Sequence, residues 1–93
     1  MKTIYKISYT QRAESDLTKL KRSEPSSFKK AIKLLNELAD NPTSGIGHPH
    51  RLTGDRAGQW SRSITKKHRL VYEVHDNEII VLVLAAYGHY DDH

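Results

Sequence analysis

The chain has 93 residues, and its 15 Lys and Arg outnumber its 11 Asp and Glu, for a formal charge of +4. This length fits a single domain spanning residues 1–93. A domain of this size buries only about 60% of the surface of its unfolded chain, which favours a shallow functional surface over a deep enclosed site. The sequence contains no cysteine, which excludes disulfides, cysteine nucleophiles and cysteine-based zinc sites.

The N-terminus has no long apolar run, so no secretory signal is expected. The apolar stretch 79–87 is too short to cross a bilayer. A cytoplasmic protein without membrane contact is therefore expected. Its positive charge is compatible with a polyanionic partner such as RNA but does not require one.

The first half of the chain predicts one strand and two helices. Residues 4–9 alternate as in a strand, and Thr10 can cap a helix that begins at Gln11. Pro25 suits the first turn of a second helix, which should end before Pro42. The apolar positions of that helix are Phe28, Ala31, Ile32, Leu35, Leu38 and Ala39. Its outward positions are Lys29, Lys30, Lys33 and Glu37.

The second half predicts four strands. The ranges are 48–52, 60–64, 68–74 and 78–86, with turns between them. The apolar faces of the two helices must be buried against a sheet, so we expect an α+β domain of order β-α-α-β-β-β-β. Both N-terminal helices should pack on one face of a mainly antiparallel, twisted sheet, which leaves the opposite face for function.

Residues able to act on a phosphodiester are concentrated in this second half. They are His48, His50, Arg51, Arg62, Lys66, Lys67, His68, Arg69, His89 and Tyr90. Metal-free cleavage of RNA needs a base for the 2′-hydroxyl, a cation for the transition state and an acid for the leaving oxygen. Histidine can serve as base or acid, and the arginine fork matches two phosphate oxygens.

Strand alternation sorts several of these residues. Arg69 should share a face with Val71 and Glu73, so an ion pair with Glu73 is its simplest structural role. Arg62 falls on the same face as two apolar neighbours, which fits a strand less cleanly. His68 and His75 flank turns and are interpreted as structural or exposed. Zinc binding by His48, His50 and the 89–93 tail lacks a clear set of acidic ligands.

Three segments together resemble the YoeB (Txe) branch of the RelE/ParE toxin superfamily. They are Trp60-Ser61-Arg62-Ser63-Ile64, His68-Arg69-Leu70-Val71-Tyr72 and His89-Tyr90. Residues 45–49 are similar to that branch's glycine-rich segment. The resemblance implies a microbial-ribonuclease-like sheet and a ribosome-dependent mRNA endoribonuclease that inhibits translation without a metal or cofactor. It also implies a cognate YefM/Phd-like antitoxin, and it allows a homodimer.

Carried over by position, Arg69 matches the family's phosphate-stabilising arginine, His89 its general acid and Tyr90 the adjacent tyrosine that positions RNA. His50 stands where the family commonly has a base glutamate, so we expect a site with two histidines. Ser63 replaces a second arginine, and Thr53 stands where lysine is frequent. Substrate binding is expected from Arg51, Arg62, Lys66 and Lys67.

Two other functions fit the same fold. One is a binding-only toxin similar to the ParE branch, which acts on DNA gyrase, although pure binding does not need Arg69 and His89-Tyr90. The other is a catalytically impaired module that only binds an antitoxin, which the changes at His50 and Ser63 keep open.

Overall fold

The structure is a computed structural model that describes residues 3–88. It contains the helices α1 (Gln11–Ser23) and α2 (Pro25–Asp40). The strands are β1 (Lys6–Tyr9), β2 (His50–Arg51), β3 (Gln59–Ser63), β4 (Arg69–His75) and β5 (Ile80–Ala85). A single 3₁₀ turn, Gly54–Arg56, joins β2 to β3. The predicted order of helices and strands is therefore confirmed, with several strands shorter than the sequence indicated.

The five strands form one sheet in the order β1-β5-β4-β3-β2. The pairs β2–β3, β3–β4 and β4–β5 are antiparallel, whereas β1 pairs with β5 in parallel. A parallel pair requires a long crossover. The chain reaches β5 from β1 only after both helices and the other three strands. This arrangement confirms the predicted α+β fold with a mainly antiparallel sheet.

Both helices bury their apolar sides against one face of the sheet. Ala13 and Leu20 of α1 join the same core cluster as Tyr72 of β4 and Val83 of β5. Each of these side chains is fully buried. The apolar sides of the helices and of the sheet are buried against each other in this core, because each element alone would leave its apolar side in water.

Helix α2 is rotated slightly from the predicted orientation. Leu34, absent from the predicted apolar face, is fully buried, while Ile32 is 37% exposed. Glu37, predicted to face water, is instead half-buried and accepts hydrogen bonds from Arg62 and from the Ile46 backbone. The orientation of α2 thus buries its apolar residues and also places the Glu37 carboxylate beside the buried Arg62 guanidinium.

Thr10 caps helix α1 as predicted, and it also contacts the end of β5. The Thr10 hydroxyl accepts from the Ala13 N–H at 3.1 Å and donates to the Leu84 carbonyl at 2.9 Å. Asp16 accepts a hydrogen bond from the Ala86 N–H at 3.0 Å. These contacts set the course of the chain as it leaves the sheet toward its C-terminus.

Candidate active site

The sheet face opposite the helices carries His50, Ser61, Ser63 and Arg69, and we call it the open face. His50 lies opposite Ser61, and Ser63 lies opposite Arg69, in antiparallel registers. Directly opposed residues point to the same face, as do residues two apart on one strand. Strand spacing and rise per residue place the Cα atoms of His50 and Arg69 about 12 Å apart. A phosphodiester fits between two side chains at this separation.

His50 is exposed, and its hydrogen bond determines which ring nitrogen is available. Its Nδ1 lies 3.2 Å from the carbonyl oxygen of His48. Because a carbonyl only accepts, Nδ1 must donate, and the neutral ring then keeps its lone pair on Nε2. Nε2 is therefore the ring nitrogen that faces no partner in this hydrogen bond and that a substrate hydroxyl would meet.

Arg69 is joined to the C-terminal segment through its backbone. Its N–H donates to the Gly88 carbonyl at 2.9 Å, and its guanidinium Nη1 lies 3.5 Å from the Ser63 hydroxyl. The residue that follows Gly88 is His89. The fold therefore brings the predicted phosphate-binding arginine beside the segment that leads to the predicted acid. His89 and Tyr90 themselves lie outside the described residues.

Ser61 occupies the centre of the open face. It is 1% exposed, and its Oγ has no hydrogen-bond partner among the residues that the structure describes. Its two cross-strand neighbours are His50 and Val71. Ser61 therefore lies buried between His50 and Val71 and is not accessible to a ligand.

Arg62 is placed differently from the prediction that it binds substrate. Its side chain is fully buried on the helix-covered face, where it pairs with Glu37 at 2.6 Å. Its remaining donors bond to Tyr72 and to the carbonyls of Asn41, Ser44 and Ile46. A buried guanidinium needs partners for its donors, and these contacts occupy all of the N–H groups of Arg62. Arg62 holds the 41–47 loop onto the sheet and is not available to RNA.

Tyr72 completes this buried polar network. Its hydroxyl accepts from Arg62 Nε at 3.1 Å and donates to the Pro42 carbonyl at 2.7 Å. Burial raises the pKa of the Tyr72 hydroxyl, and the neighbouring Arg62 charge partly opposes that rise. The ring therefore stays neutral and serves as a structural hydrogen-bonding group.

The other predicted contacts with substrate are spread around the site. Arg51 is exposed, but its guanidinium lies 5.7 Å from the Trp60 ring, on the sheet face opposite to His50. Lys66 and Lys67 are exposed in the β3–β4 turn, and the Lys67 ammonium lies 3.7 Å from Glu24. Arg51 therefore lies on the other sheet face from Arg69, and Lys67 lies near Glu24 of the helical layer.

A family model for the "YoeB-like toxin of bacterial type II toxin-antitoxin system" matches residues 9–90. The chain belongs to the YoeB-like toxins. Toxin YoeB of Streptomyces coelicolor is 35% identical over 77 residues, which cover 83% of this chain and 92% of that protein. Toxin YoeB of Escherichia coli K12 is 41% identical over 66 residues, which cover 67% of this chain and 76% of that protein.

Solved structures agree with this assignment to the YoeB-like toxins. The YoeB/ParE toxin from Agrobacterium tumefaciens superposes with a TM-score of 0.86 at 33% identity, covering 91% of this chain and 99% of that one. The YoeB dimer from Staphylococcus aureus gives 0.80 at 31% identity, covering 92% and 98%. The predicted membership of the YoeB branch is confirmed, and the protein is a toxin of a toxin–antitoxin system.

One residue of this YoeB-like toxin plays a larger part than its sequence position suggested. His68 is fully buried, and its two ring nitrogens contact Glu24 and the Gly88 N–H, both at 2.8 Å. The hydrogen bond from His68 lowers the pKa of the Glu24 carboxyl, with smaller help from Lys67. Only the position of His68 next to Arg69 hinted at this role, because its partners are distant in sequence.

Two findings bear on metals and membranes. Across residues 3–88, no group of three or more His, Asp or Glu side chains is placed to hold a metal ion. No helix within the same range has the length and apolar character needed to cross a membrane.

Proposed function

We propose that this toxin is a metal-independent endoribonuclease that cuts mRNA in the ribosomal A site and so inhibits translation. The observation that carries the proposal is the hydrogen bond from Arg69 N–H to the Gly88 carbonyl, which joins the arginine to the segment before His89. The exposed His50, with Nε2 as its available nitrogen, lies on the same sheet face as Arg69. A base, a cation and an acid are what 2′-hydroxyl attack requires.

In the proposed reaction His50 Nε2 takes the proton of the 2′-hydroxyl. The 2′-oxygen forms a bond to phosphorus, and the bond from phosphorus to the 5′-oxygen breaks. His89 donates a proton to that leaving oxygen, while Arg69 binds the non-bridging oxygens, where negative charge increases. The products are a 2′,3′-cyclic phosphate and a 5′-hydroxyl, and Tyr90 positions the RNA.

The positive charge supports the choice of a ribosomal substrate. The net charge is +4, and Lys66 and Lys67 are exposed in the turn that leads into β4 and Arg69. Lysines at such a position would bind RNA phosphates and release counterions, which makes the affinity dependent on salt. We propose that Lys66, Lys67 and Arg51 contact RNA at the rim of the site.

We also propose a YefM-like antitoxin and a homodimeric form as assemblies of this toxin. A Staphylococcus aureus relative at 30% identity was solved as a YoeB-YefM complex, with a TM-score of 0.80 over 92% of this chain and 98% of that one. A relative from the same organism was solved as a dimer. Copurification with the product of a neighbouring gene, and sedimentation of the isolated toxin, would test the two assemblies.

The test of the proposed activity is cleavage in a translation extract, with mRNA ends mapped by primer extension. Wild-type protein should cut within translated codons, and EDTA should act only through the ribosome. Arg69→Ala and His89→Ala should each lower the rate by about 10²-fold or more. Arg22→Ala removes the same charge from the exposed last turn of α1 and is the matched control.

Three results would contradict this proposal in different ways. If folded wild-type toxin does not cleave, the protein is a binding-only or impaired module, as the His50 and Ser63 substitutions would allow. If it cleaves naked RNA at the same rate, the ribosome is not required. If Arg69→Ala retains full activity, the open face is not the active site.

A further inference from the structure

His68 makes two hydrogen bonds that together determine its protonation. The Gly88 N–H donates to His68 Nδ1 at 2.8 Å, so Nδ1 must carry a lone pair. The other nitrogen, Nε2, lies 2.8 Å from Glu24 Oε2 and must donate, because the carboxylate only accepts. The ring is therefore a neutral imidazole whose tautomer is set by Glu24, 44 residues away in the chain.

Gly88 is fixed at both of its backbone polar groups. Its N–H is bound by His68, and its carbonyl accepts from the Arg69 N–H at 2.9 Å. Its φ of +69° lies in the left-handed region, which glycine adopts without strain. The Tyr87 ring before it packs against His68 at 4.5 Å between centroids. The chain is thus held tightly immediately before His89.

We propose that His68 is a positioning residue for catalysis, acting through Gly88 on the segment that carries His89, with Glu24 orienting its ring. This inference rests on the proposed function, because it assigns His89 the role of acid. The neighbouring residues His68 and Arg69 then have different roles. Arg69 binds the phosphate, and His68 sets the backbone from which the acid reaches the leaving oxygen. Misplacement of a reacting group by about 1 Å can lower a rate by about 10²-fold.

Two substitutions separate the two hydrogen bonds of His68. Asparagine places an amide oxygen near the position of Nδ1, so His68→Asn keeps an acceptor for Gly88 and loses the contact with Glu24. Glutamine places an amide nitrogen near Nε2, so His68→Gln keeps a donor to Glu24 and loses the acceptor for Gly88. Each variant removes one buried hydrogen bond, so both should lose similar stability in urea.

The expected result is a difference in rate between variants of similar stability. Single-turnover cleavage of ribosome-bound mRNA should fall by about 10²-fold in His68→Gln and much less in His68→Asn. The effect should appear in the rate constant at saturating ribosomes, not in the half-saturating concentration. The Gly88 amide should exchange with solvent faster in His68→Gln than in His68→Asn, as measured by NMR.

A double-mutant cycle with His89→Ala shows whether the effect passes through the proposed acid. If His68 acts by positioning His89, His68→Gln should cause little further loss once His89 is absent. Should the buried variants fail to fold, Glu24→Ala and Glu24→Gln give a second comparison that leaves the ring in place. Glutamine retains an acceptor for Nε2, so Glu24→Gln should cleave faster than Glu24→Ala.

The outcomes separate this inference from the proposed function. Wild-type toxin that does not cleave would overturn both. Cleavage by wild type with equal rates in His68→Gln and His68→Asn would overturn the positioning role alone, and so would a full further loss in the His89→Ala background. Equal rates for the two Glu24 variants would overturn the assignment of Glu24.

Discussion

At the scale of single residues, the departure at His50 is the main chemical question. Its Nδ1 is engaged by the His48 carbonyl, so Nε2 is the nitrogen free to accept a proton. A histidine in this form can replace the glutamate that the family commonly carries, since both act as bases once deprotonated. The carboxylate differs in remaining deprotonated at lower pH than an imidazole.

We predict that His50→Ala lowers the cleavage rate by about 10² to 10⁴-fold. His50→Glu should retain cleavage and extend it to lower pH, because a carboxylate remains a base there. The measurement is the pH profile of single-turnover cleavage. His48→Asn is the matched control, because asparagine tolerates the φ of +52° at this exposed position. Full activity of His50→Ala would exclude His50 as the base.

At the scale of elements, Arg62 connects a loop, a helix and the sheet. It belongs to β3, pairs with Glu37 of α2 and binds carbonyls of the loop between α2 and β2. Gly47 brings the same loop against β3, because its carbonyl accepts from the Ser63 N–H at 2.7 Å. A Cβ at Gly47 would lie 2.9 Å from a Leu34 methyl, and its φ is +83°. The loop that leads to His50 is therefore held by a buried charge and by close backbone packing.

Replacing Arg62 should destabilise the protein without any direct effect on RNA binding. We expect Arg62→Lys and Arg62→Met to lower the free energy of unfolding by about 3–5 kcal/mol, because buried acceptors lose their partners. Urea denaturation measures this loss, with Arg51→Lys as a matched control at an exposed position. A loss as small as that of the control would contradict the structural role.

At the scale of the whole molecule, Glu24 links the helical layer to the C-terminal end of the chain. It lies between α1 and α2 and contacts His68 and Lys67 beside β4. Its pKa is lowered from the ordinary value of 4.5, mainly by the His68 hydrogen bond. The unfolded chain therefore binds a proton more readily at Glu24 than the folded one. This stabilisation is present above the unfolded pKa and is lost as the pH falls through the lower folded pKa.

We accordingly predict that the stability difference between wild type and Glu24→Gln is largest above about pH 4.5, the ordinary value of this carboxyl, and shrinks under more acidic conditions. Urea denaturation across the acid range measures it. Glu14→Gln, an exposed glutamate of α1, corrects for the general effect of removing one carboxylate. A difference that does not depend on pH would show that the His68–Glu24 pair does not favour the charged carboxylate.

The sequence by itself determined the helices, the strand order along the chain and the resemblance carried by Arg69 and His89. Periodicity and capping are local, so they can be read without knowing how the elements pack. Tertiary structure decided that Arg62 is buried, because its partner Glu37 is 25 residues away and belongs to another element. It also decided that His68 binds Gly88, a contact spanning 20 residues. From sequence alone, the side chain of a polar residue on a strand could lie either in the core or on the face that meets a substrate. Only the packing of α1 and α2 shows which face is covered.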